Sequence, residues 1–135
     1  MKVLKKMFIF IGLFLVILMI VIFMSNIENI GNPKVKDVLE NNPDADLIQL
    51  DGLIYLNLTL DSKDEQVYEK QEQIGEIKKK THKTWWFGNL YATKLPKGTK
   101  VYTTDRNGYS KGDAPFVIVV ELNKEIVAYH ALIEG

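Results

Sequence analysis

The N-terminal pattern is a short basic segment followed by a long apolar one. Every residue from Met7 to Met24 is apolar or glycine, and at roughly 1.5 Å per residue a helix over this stretch is about 27 Å long. Because the hydrocarbon core of a bilayer is about 30 Å thick, this length is typical of a membrane-spanning helix. The pattern predicts a tail at residues 1–6 and a transmembrane anchor at residues 7–25.

Two observations favour an anchor that is not removed. A cleavable signal peptide has an apolar region of only about 7 to 15 residues, followed by a small-x-small cleavage site, and no such site follows Phe23. The chain also has no cysteine, the residue that would carry the lipid of a lipoprotein. We therefore predict an uncleaved signal anchor, with cleavage as the alternative.

The charges that flank the apolar stretch predict its orientation. The first charged residue after it is Glu28, whereas three lysines precede it: Lys2, Lys5 and Lys6. Positive flanks stay in the cytoplasm. The expected location is the cell membrane, crossed once, with a cytoplasmic N-terminus and the C-terminal domain outside.

Residues 26–43 predict a spacer and a short helix. Asn32 and Pro33 suit a helix cap and first position, and Asn-Asn-Pro at residues 41–43 ends the helix. The three apolar residues between them form one stripe: Val35, Val38 and Leu39. This helix can either pack on the domain or stand as a stalk between the membrane and the domain.

A hairpin is predicted in "DLIQLDGLIYLNL", because Asp51-Gly52 separates two β-rich runs and both turn positions need positive φ. A two-residue turn determines which residues face each other across the hairpin. The predicted pairs are Leu50 with Leu53, Ile48 with Tyr55, and Leu47 with Leu56. Both faces of the hairpin are largely apolar, so we expect both to be covered.

The next segment predicts a second helix over "SKDEQVYEKQ", because Ser62 and Glu65 have the spacing of a capping box. Val67 and Tyr68 would make its inward contact. Ile74–Lys80 then alternates as an exposed strand, with a bulge at Gly75.

The remaining residues predict strands and turns. The predicted strands are Tyr91–Leu95, Thr99–Thr103, and two more from Phe116 to Ile133; the turns are Pro96–Gly98 and Asn123–Lys124, and the loop is Asp105–Asp113. We expect adjacent strands to pair antiparallel. The predicted fold class is α+β: a small curved antiparallel sheet or partial β-barrel with two short helices, in a domain at residues 44–135.

Composition excludes some functions. Setting aside Lys2, Lys5, Lys6 and Glu28 leaves fourteen basic and sixteen acidic residues, so the domain lacks the basic excess of a nucleic-acid-binding protein. The absence of cysteine excludes disulfides and thiol catalysis.

Four segments resemble a known class of protein: "NPDADLIQLDGLIYLN", "IGEIKK", "ATKLPKGTKVY" and "HALIEG". They are similar to small extracytoplasmic domains of Bacillus-like Gram-positive bacteria, which are single-pass or lipid-anchored and have no assigned activity. The resemblance covers about residues 42–135 and implies a location outside the cell. Its motifs are turns and strand starts, so it implies no catalytic residue.

Candidate catalytic groups are few. His82 lies in a lysine-rich turn, and His130 shares a strand face with apolar residues. Ordinary surface and packing roles explain both, and we predict no catalytic residue, metal site or cofactor. A small envelope hydrolase that uses His130 with a nearby carboxylate, such as Asp105, is the alternative.

The most informative segment for binding is "KKKTHKTWWFGNLY", which combines lysines with aromatic residues. In a strand, three consecutive aromatic residues cannot all face one core. Three roles compete: two rings packed inward with one shielding a sheet edge, contact with the outer membrane leaflet, or a platform for envelope sugars or a protein partner. The candidate binding residues are Trp85, Trp86, Phe87, Tyr91, Lys79, Lys80 and Lys83.

Together these features predict a single-pass membrane protein whose domain is a non-catalytic binding or interaction module of the cell envelope. The expected partners are the membrane, through the N-terminal helix, and an envelope polymer or a membrane protein.

Overall fold

The computed structural model describes residues 1–25, 31–57 and 66–134. The chain divides into two units, Met1–Gly31 and Asn32–Gly135. The helices are α1 (Lys2–Ser25) and α2 (Val35–Asn41), with a 3₁₀ helix at Thr84–Trp86. The strands are β1 (Leu47–Leu50), β2 (Leu53–Asn57), β3 (Gln73–Glu76), β4 (Lys79–Lys80), β5 (Tyr91–Ala92), β6 (Lys100–Thr103), β7 (Val117–Leu122) and β8 (Glu125–Ala131).

The first unit contains α1, a helix of 24 residues. Its segment Lys2–Phe23 is long and apolar enough to cross a membrane, and none of it is buried. No other helix in the described ranges has that length and composition. These properties are compatible with a membrane anchor and with a signal sequence.

The second unit is an α+β domain, as predicted. Its eight described strands form one curled, mixed sheet in the order β3-β6-β7-β8-β2-β1-β5-β4. The two outermost strands, β3 and β4, are separated in the chain by Ile77 and Lys78 alone, so the sheet must curl to bring its edges to one continuous segment. Ile77 at this junction is buried.

The hairpin of β1 and β2 has the predicted register. Leu47 faces Leu56, Ile48 faces Tyr55 and Leu50 faces Leu53. The turn requires positive φ at both central positions, 51° at Asp51 and 78° at Gly52. Asp and Gly are the residues that accept this conformation most readily.

Both faces of this hairpin are covered, which confirms that expectation. One face, with Ile48, Leu50 and Tyr55, joins the larger core cluster inside the curled sheet. The other face, with Leu47 and Ile54, forms a second cluster with α2. Helix α2 therefore packs on the domain, and the stalk placement is wrong.

The start of α2 differs from the sequence-based prediction. Its cap is Lys34 rather than Asn32. The Lys34 backbone N–H donates to Asp37 Oδ2 at 3.0 Å, so a carboxylate inside the helix bonds a backbone N–H at the helix start. The Asn32 side chain instead accepts a hydrogen bond from the backbone N–H of Glu134 at 3.2 Å. The predicted end at residues 41–43 is correct, since the last helical residue is Asn41.

The predicted second helix is wrong over residues 66–71, which are not helical, and its capping box lies outside the described residues. Gln71 donates its backbone N–H to Thr103 O at 3.0 Å, and Thr103 donates to Glu72 O at 2.9 Å. These bonds extend the pairing of β3 with β6, so strand pairing replaces the helix. Of the two residues expected to face inward, Val67 is 88% exposed, whereas Tyr68 is half-buried and its ring contacts His130.

The strand between Ile74 and Lys80 is divided into β3 and β4, with a register shift between Gln73 and Gly75 that confirms the predicted bulge. A Cβ at Gly75 would lie 2.7 Å from Leu90 Cδ1. A side chain at position 75 would therefore force the buried Leu90 side chain to move.

Two expectations about pairing are wrong. Strand β4 pairs with β5 in parallel, and β5 pairs with β1 rather than with its chain neighbour β6. Strand β5 is also shorter than predicted, since the Thr93 hydroxyl accepts from Leu47 N at 3.0 Å and donates to Ala45 O at 2.7 Å. The Thr93 backbone N–H still donates to Leu47 O at 3.0 Å, so the hydroxyl replaces only the carbonyl that would accept from Leu47 N–H.

The C-terminal hairpin follows the prediction closely. Strands β7 and β8 pair around Asn123 and Lys124, which have positive φ of 52° and 69°. Strand β8 ends at Ala131, two residues before the predicted end at Ile133.

Candidate binding surface

The lysine and tryptophan segment is held at the edge of the sheet by β4. Lys79 is aligned with Tyr91 and Lys80 with Ala92 in the parallel pairing. The backbone N–H of Thr81 extends this pairing by donating to Ala92 O at 2.9 Å. The edge is therefore anchored by backbone hydrogen bonds while the lysine side chains remain exposed.

A turn then directs the chain into the 3₁₀ helix Thr84–Trp86. The buried Thr81 hydroxyl accepts a hydrogen bond from the backbone N–H of Lys83 at 3.1 Å. Such a side-chain turn competes with continued strand structure. The two tryptophans therefore lie in a short helix rather than in a strand.

The two indole rings stack on each other at the surface. Their centroids are 4.2 Å apart and their planes differ by 14°. Trp85 is 75% exposed and Trp86 is 49% exposed. These are large apolar areas to leave in water, since an aromatic side chain of this size can bury about 150–250 Å².

Two ammonium groups lie over the Trp86 ring. Lys79 Nζ is 5.0 Å and Lys83 Nζ is 5.6 Å from its centroid, within the range of cation–π attraction. We call Lys79, Lys83, Trp85 and Trp86 the tryptophan–lysine surface. Lys79, Lys83 and Trp85 each contact the Trp86 ring, although the four residues come from two different elements and a turn.

The other predicted binding residues have different positions. Phe87 is half-buried against the cluster that includes α2, and its ring centroid is 5.9 Å from that of Tyr91 in an edge-to-face contact. These two rings therefore contact each other beside the tryptophan–lysine surface rather than forming part of it. Lys80 is exposed on β4. Of the three competing roles, the one in which two aromatic residues pack inward is wrong, because only Phe87 does.

The charge within the segment itself is of one sign, whereas the neighbouring helix α2, which packs against the 3₁₀ helix, carries Asp37 and Glu40. Residues 77–91 contain four lysines, Lys78, Lys79, Lys80 and Lys83, and no acidic residue. Across the described ranges, none of the ion pairs involves these lysines. The surface is therefore both apolar and cationic.

His130, the alternative catalytic residue, lies between aromatic rings. Its ring centroid is 5.6 Å from that of Tyr68 and 6.3 Å from that of Phe116, and its Nε2 is 3.5 Å from the Tyr68 hydroxyl. Within the part of the chain that is described, no carboxylate forms an ion pair or hydrogen bond with His130. The structure does not bring Asp105 to it.

Two carboxylates near the hairpin accept hydrogen bonds from tyrosines, a role that sequence patterns do not reveal. The Tyr129 hydroxyl is 3.0 Å from each oxygen of Asp46, and the Tyr109 hydroxyl is 2.9 and 2.8 Å from those of Asp51. Burial, together with the charge and hydrogen bond of Asp46, raises the pKa of Tyr129. Burial and the Asp51 hydrogen bond raise the pKa of Tyr109 to about 12.

The residues 1–25, 31–57 and 66–134 contain no group of three or more His, Cys, Asp or Glu side chains placed to hold a metal ion. His82 is exposed in its turn.

Comparisons with protein-family models, curated proteins and solved structures found no match. The function is therefore inferred from geometry and charge.

Proposed function

We propose that this chain is a single-pass membrane protein that presents residues 32–135 outside the cell as a non-catalytic binding or interaction module of the cell envelope. The length of α1 supports the anchor. Lysines at positions 2, 5 and 6 support a cytoplasmic N-terminus. The resemblance to extracytoplasmic Bacillus-like domains agrees with this location.

The observation that carries the binding role is the stacked Trp85–Trp86 pair. Exposed tryptophan is uncommon on a surface that has no partner, and tryptophan is enriched among the residues that dominate binding energy. The rings are held in one stacked arrangement with two lysines beside them. A rigid aromatic surface loses little conformational entropy on binding.

The experiment compares two pairs of substitutions in the full chain. Trp85→Ala with Trp86→Ala removes the stacked rings, and Phe116→Ala with Ile133→Ala removes two other exposed apolar side chains, 64% and 53% exposed. The full chain is first embedded in phosphatidylcholine nanodiscs, so that α1 is already in lipid and does not itself bind the fractions. Binding to isolated cell-envelope fractions is then measured by sedimentation, with near-ultraviolet circular dichroism and thermal unfolding as checks of the fold.

We expect the tryptophan variant to lose at least tenfold in binding, as expected for hot-spot residues, and the control variant to bind like the unchanged protein. Equal binding by the folded tryptophan variant would overturn the proposal. Equal loss in both variants would also overturn it, because the effect would then be one of general surface hydrophobicity.

A further inference from the structure

The tryptophan–lysine surface combines two features that suit one kind of ligand. Indole rings prefer the headgroup level of a bilayer, where their apolar bodies leave water while their N–H groups stay hydrated. Lysines are attracted to anionic headgroups, and their long side chains can keep the ammonium group at that level. Trp85 and Lys83 are both exposed and lie two positions apart in the chain.

A sugar polymer fits the same surface less well. Sugar recognition needs a free ring face and hydrogen-bond acceptors for the hydroxyl groups, yet residues 77–91 contain no carboxylate. The carboxylates of the neighbouring helix α2 have partners of their own, since Asp37 accepts the Lys34 N–H and Glu40 pairs with Lys36. Their one amide side chain, Asn89, uses its oxygen to accept the backbone N–H of Asp51 at 3.0 Å. Trp86 is contacted by Trp85 and by two ammonium groups, which leaves Trp85 as the open ring.

The segment that connects α1 to the domain is short. Six residues, 26–31, separate Ser25 at the end of α1 from Asn32 at the start of the domain. Seven steps between Cα atoms span at most about 25 Å. If α1 stays in the bilayer, the domain is held at high local concentration near a lipid surface, which favours a weak second contact.

From the lysines beside the two indole rings and the short chain between α1 and the domain, we infer that the tryptophan–lysine surface docks on the anionic lipid headgroups of the bilayer that holds α1. This inference rests on the proposed function and names its ligand. Docking inserts Trp85 and Trp86 at the headgroup level, and Lys79 and Lys83 bind headgroup phosphates. The domain then lies against the membrane rather than projecting freely from it.

The chain offers a direct probe, because its only two tryptophans are Trp85 and Trp86. The full chain is reconstituted in vesicles of phosphatidylcholine, with or without phosphatidylglycerol as the anionic lipid. Tryptophan emission is recorded, together with quenching by lipids brominated near the headgroup and by acrylamide in the water. Both leaflets have the same composition, so the result does not depend on which way α1 inserts.

With phosphatidylglycerol present, we expect a blue shift, strong quenching by brominated lipid and weak quenching by acrylamide. Each lysine near an anionic surface contributes roughly a fivefold preference, so Lys79→Gln with Lys83→Gln should weaken docking roughly 30-fold. The matched control is Lys111→Gln with Lys124→Gln, which removes the same charge outside residues 77–91 and should dock normally. In the unchanged protein, salt at about 0.5 M should release the tryptophan–lysine surface from the headgroups while α1 stays in the bilayer, because such exposed charges are then screened.

Emission and quenching that are the same in both lipid mixtures would overturn the inference. It would also be overturned if cell-wall glycan fragments shifted the tryptophan emission while brominated lipid did not quench it. The same holds if a crosslinked membrane protein, rather than lipid, changed the emission. Either of these results is compatible with the proposed binding module, which fails separately if envelope binding does not depend on Trp85 and Trp86.

Discussion

At the scale of single residues, the domain is stabilised by tyrosine hydroxyls that donate to carboxylates. Tyr129 is fully buried, and its hydroxyl contacts both oxygens of Asp46. Asn57 Nδ2 donates to Asp46 Oδ2 at 2.9 Å as well. A partly buried carboxylate is costly unless it is hydrogen-bonded, so each donor matters.

Tyr129→Phe should lower the free energy of unfolding by about 1.5–3 kcal/mol, because a hydrogen bond to a charged group is lost inside the protein. Urea unfolding of the detergent-solubilised chain, followed in the near ultraviolet, measures the change. Tyr102→Phe is the matched control, since no described residue hydrogen-bonds the Tyr102 hydroxyl and the ring beside Lys70 is kept. A loss in Tyr129→Phe no greater than in the control would contradict the role of this bond.

Alkaline pH should destabilise the domain through three tyrosines. Burial, with nearby Asp51, raises the pKa of Tyr55 and raises that of Tyr109 to about 12, and burial beside Asp46 raises that of Tyr129. In the unfolded chain the tyrosine pKa is about 10. Above pH 10 the unfolded state therefore binds fewer protons than the folded state, and stability falls as pH rises.

The contribution of these tyrosines to the urea midpoint should accordingly be nearly constant up to about pH 9. The midpoint should decrease from about pH 10 upward. Phenolate absorbance provides the second measurement, because Tyr55, Tyr109 and Tyr129 should ionise later than free tyrosine. If all six tyrosines of the folded chain ionised together near pH 10, the interpretation of their environment would be wrong.

At the scale of elements, the β1–β2 turn has two functions. Asp51 provides one of the two positive φ angles of the turn, and its carboxylate accepts hydrogen bonds from the Tyr109 hydroxyl and from the backbone N–H of Ala114 at 3.1 Å. The turn thus holds the loop 105–114 against the hairpin. The backbone of Asp51 thus forms the turn, and its side chain holds the loop.

Asp51→Asn should separate these two functions. Asparagine also tolerates positive φ, so the hairpin should persist, while the loss of a charged acceptor should open the loop about tenfold more often. Tryptic cleavage after the exposed Arg106 and Lys111 measures loop opening. Gly52→Ala is the control, because it strains the turn by about 1 kcal/mol without changing the carboxylate.

In the control, overall stability should fall without selective cleavage of the loop. Equal cleavage rates in Asp51→Asn and the unchanged protein would show that the loop is held by other contacts.

At the scale of the whole molecule, the fate of α1 decides where the domain acts. We expect the chain from membrane fractions to resist carbonate extraction and to retain the apolar segment, because residues 23–27 lack a small-x-small site. Mass spectrometry of membrane and culture-fluid fractions tests this expectation. A secreted form that lacks the apolar segment would contradict it.

Orientation can be tested with introduced cysteines, since the chain has none of its own. Lys111→Cys, in an exposed loop, should react with a membrane-impermeant maleimide in intact cells. Lys6→Cys should react only after the cells are opened, because the positive flank stays inside. The reverse pattern would contradict the proposed topology.

Local patterns predicted much of the domain. The β1–β2 register follows from a two-residue turn that needs positive φ and from the alternation of side chains along a strand. The bulge at Gly75 and the turn at Asn123–Lys124 are likewise properties of a few adjacent residues. The candidate binding residues were identified in the same way, from lysines and aromatics in one segment.

The sequence by itself therefore determined the apolar helix, the hairpins and the general α+β class, because short-range sterics and periodicity specify them. The tertiary structure alone decided the parallel pairing of β4 with β5, the non-helical path of residues 66–71 and the exposure of both tryptophans. Each of these depends on partners distant in the chain: Ala92 for Thr81, Thr103 for Gln71, and α2 for the Phe87 beside the indoles. Local preference is weak compared with such pairing and burial, so it is overridden where a distant partner is available.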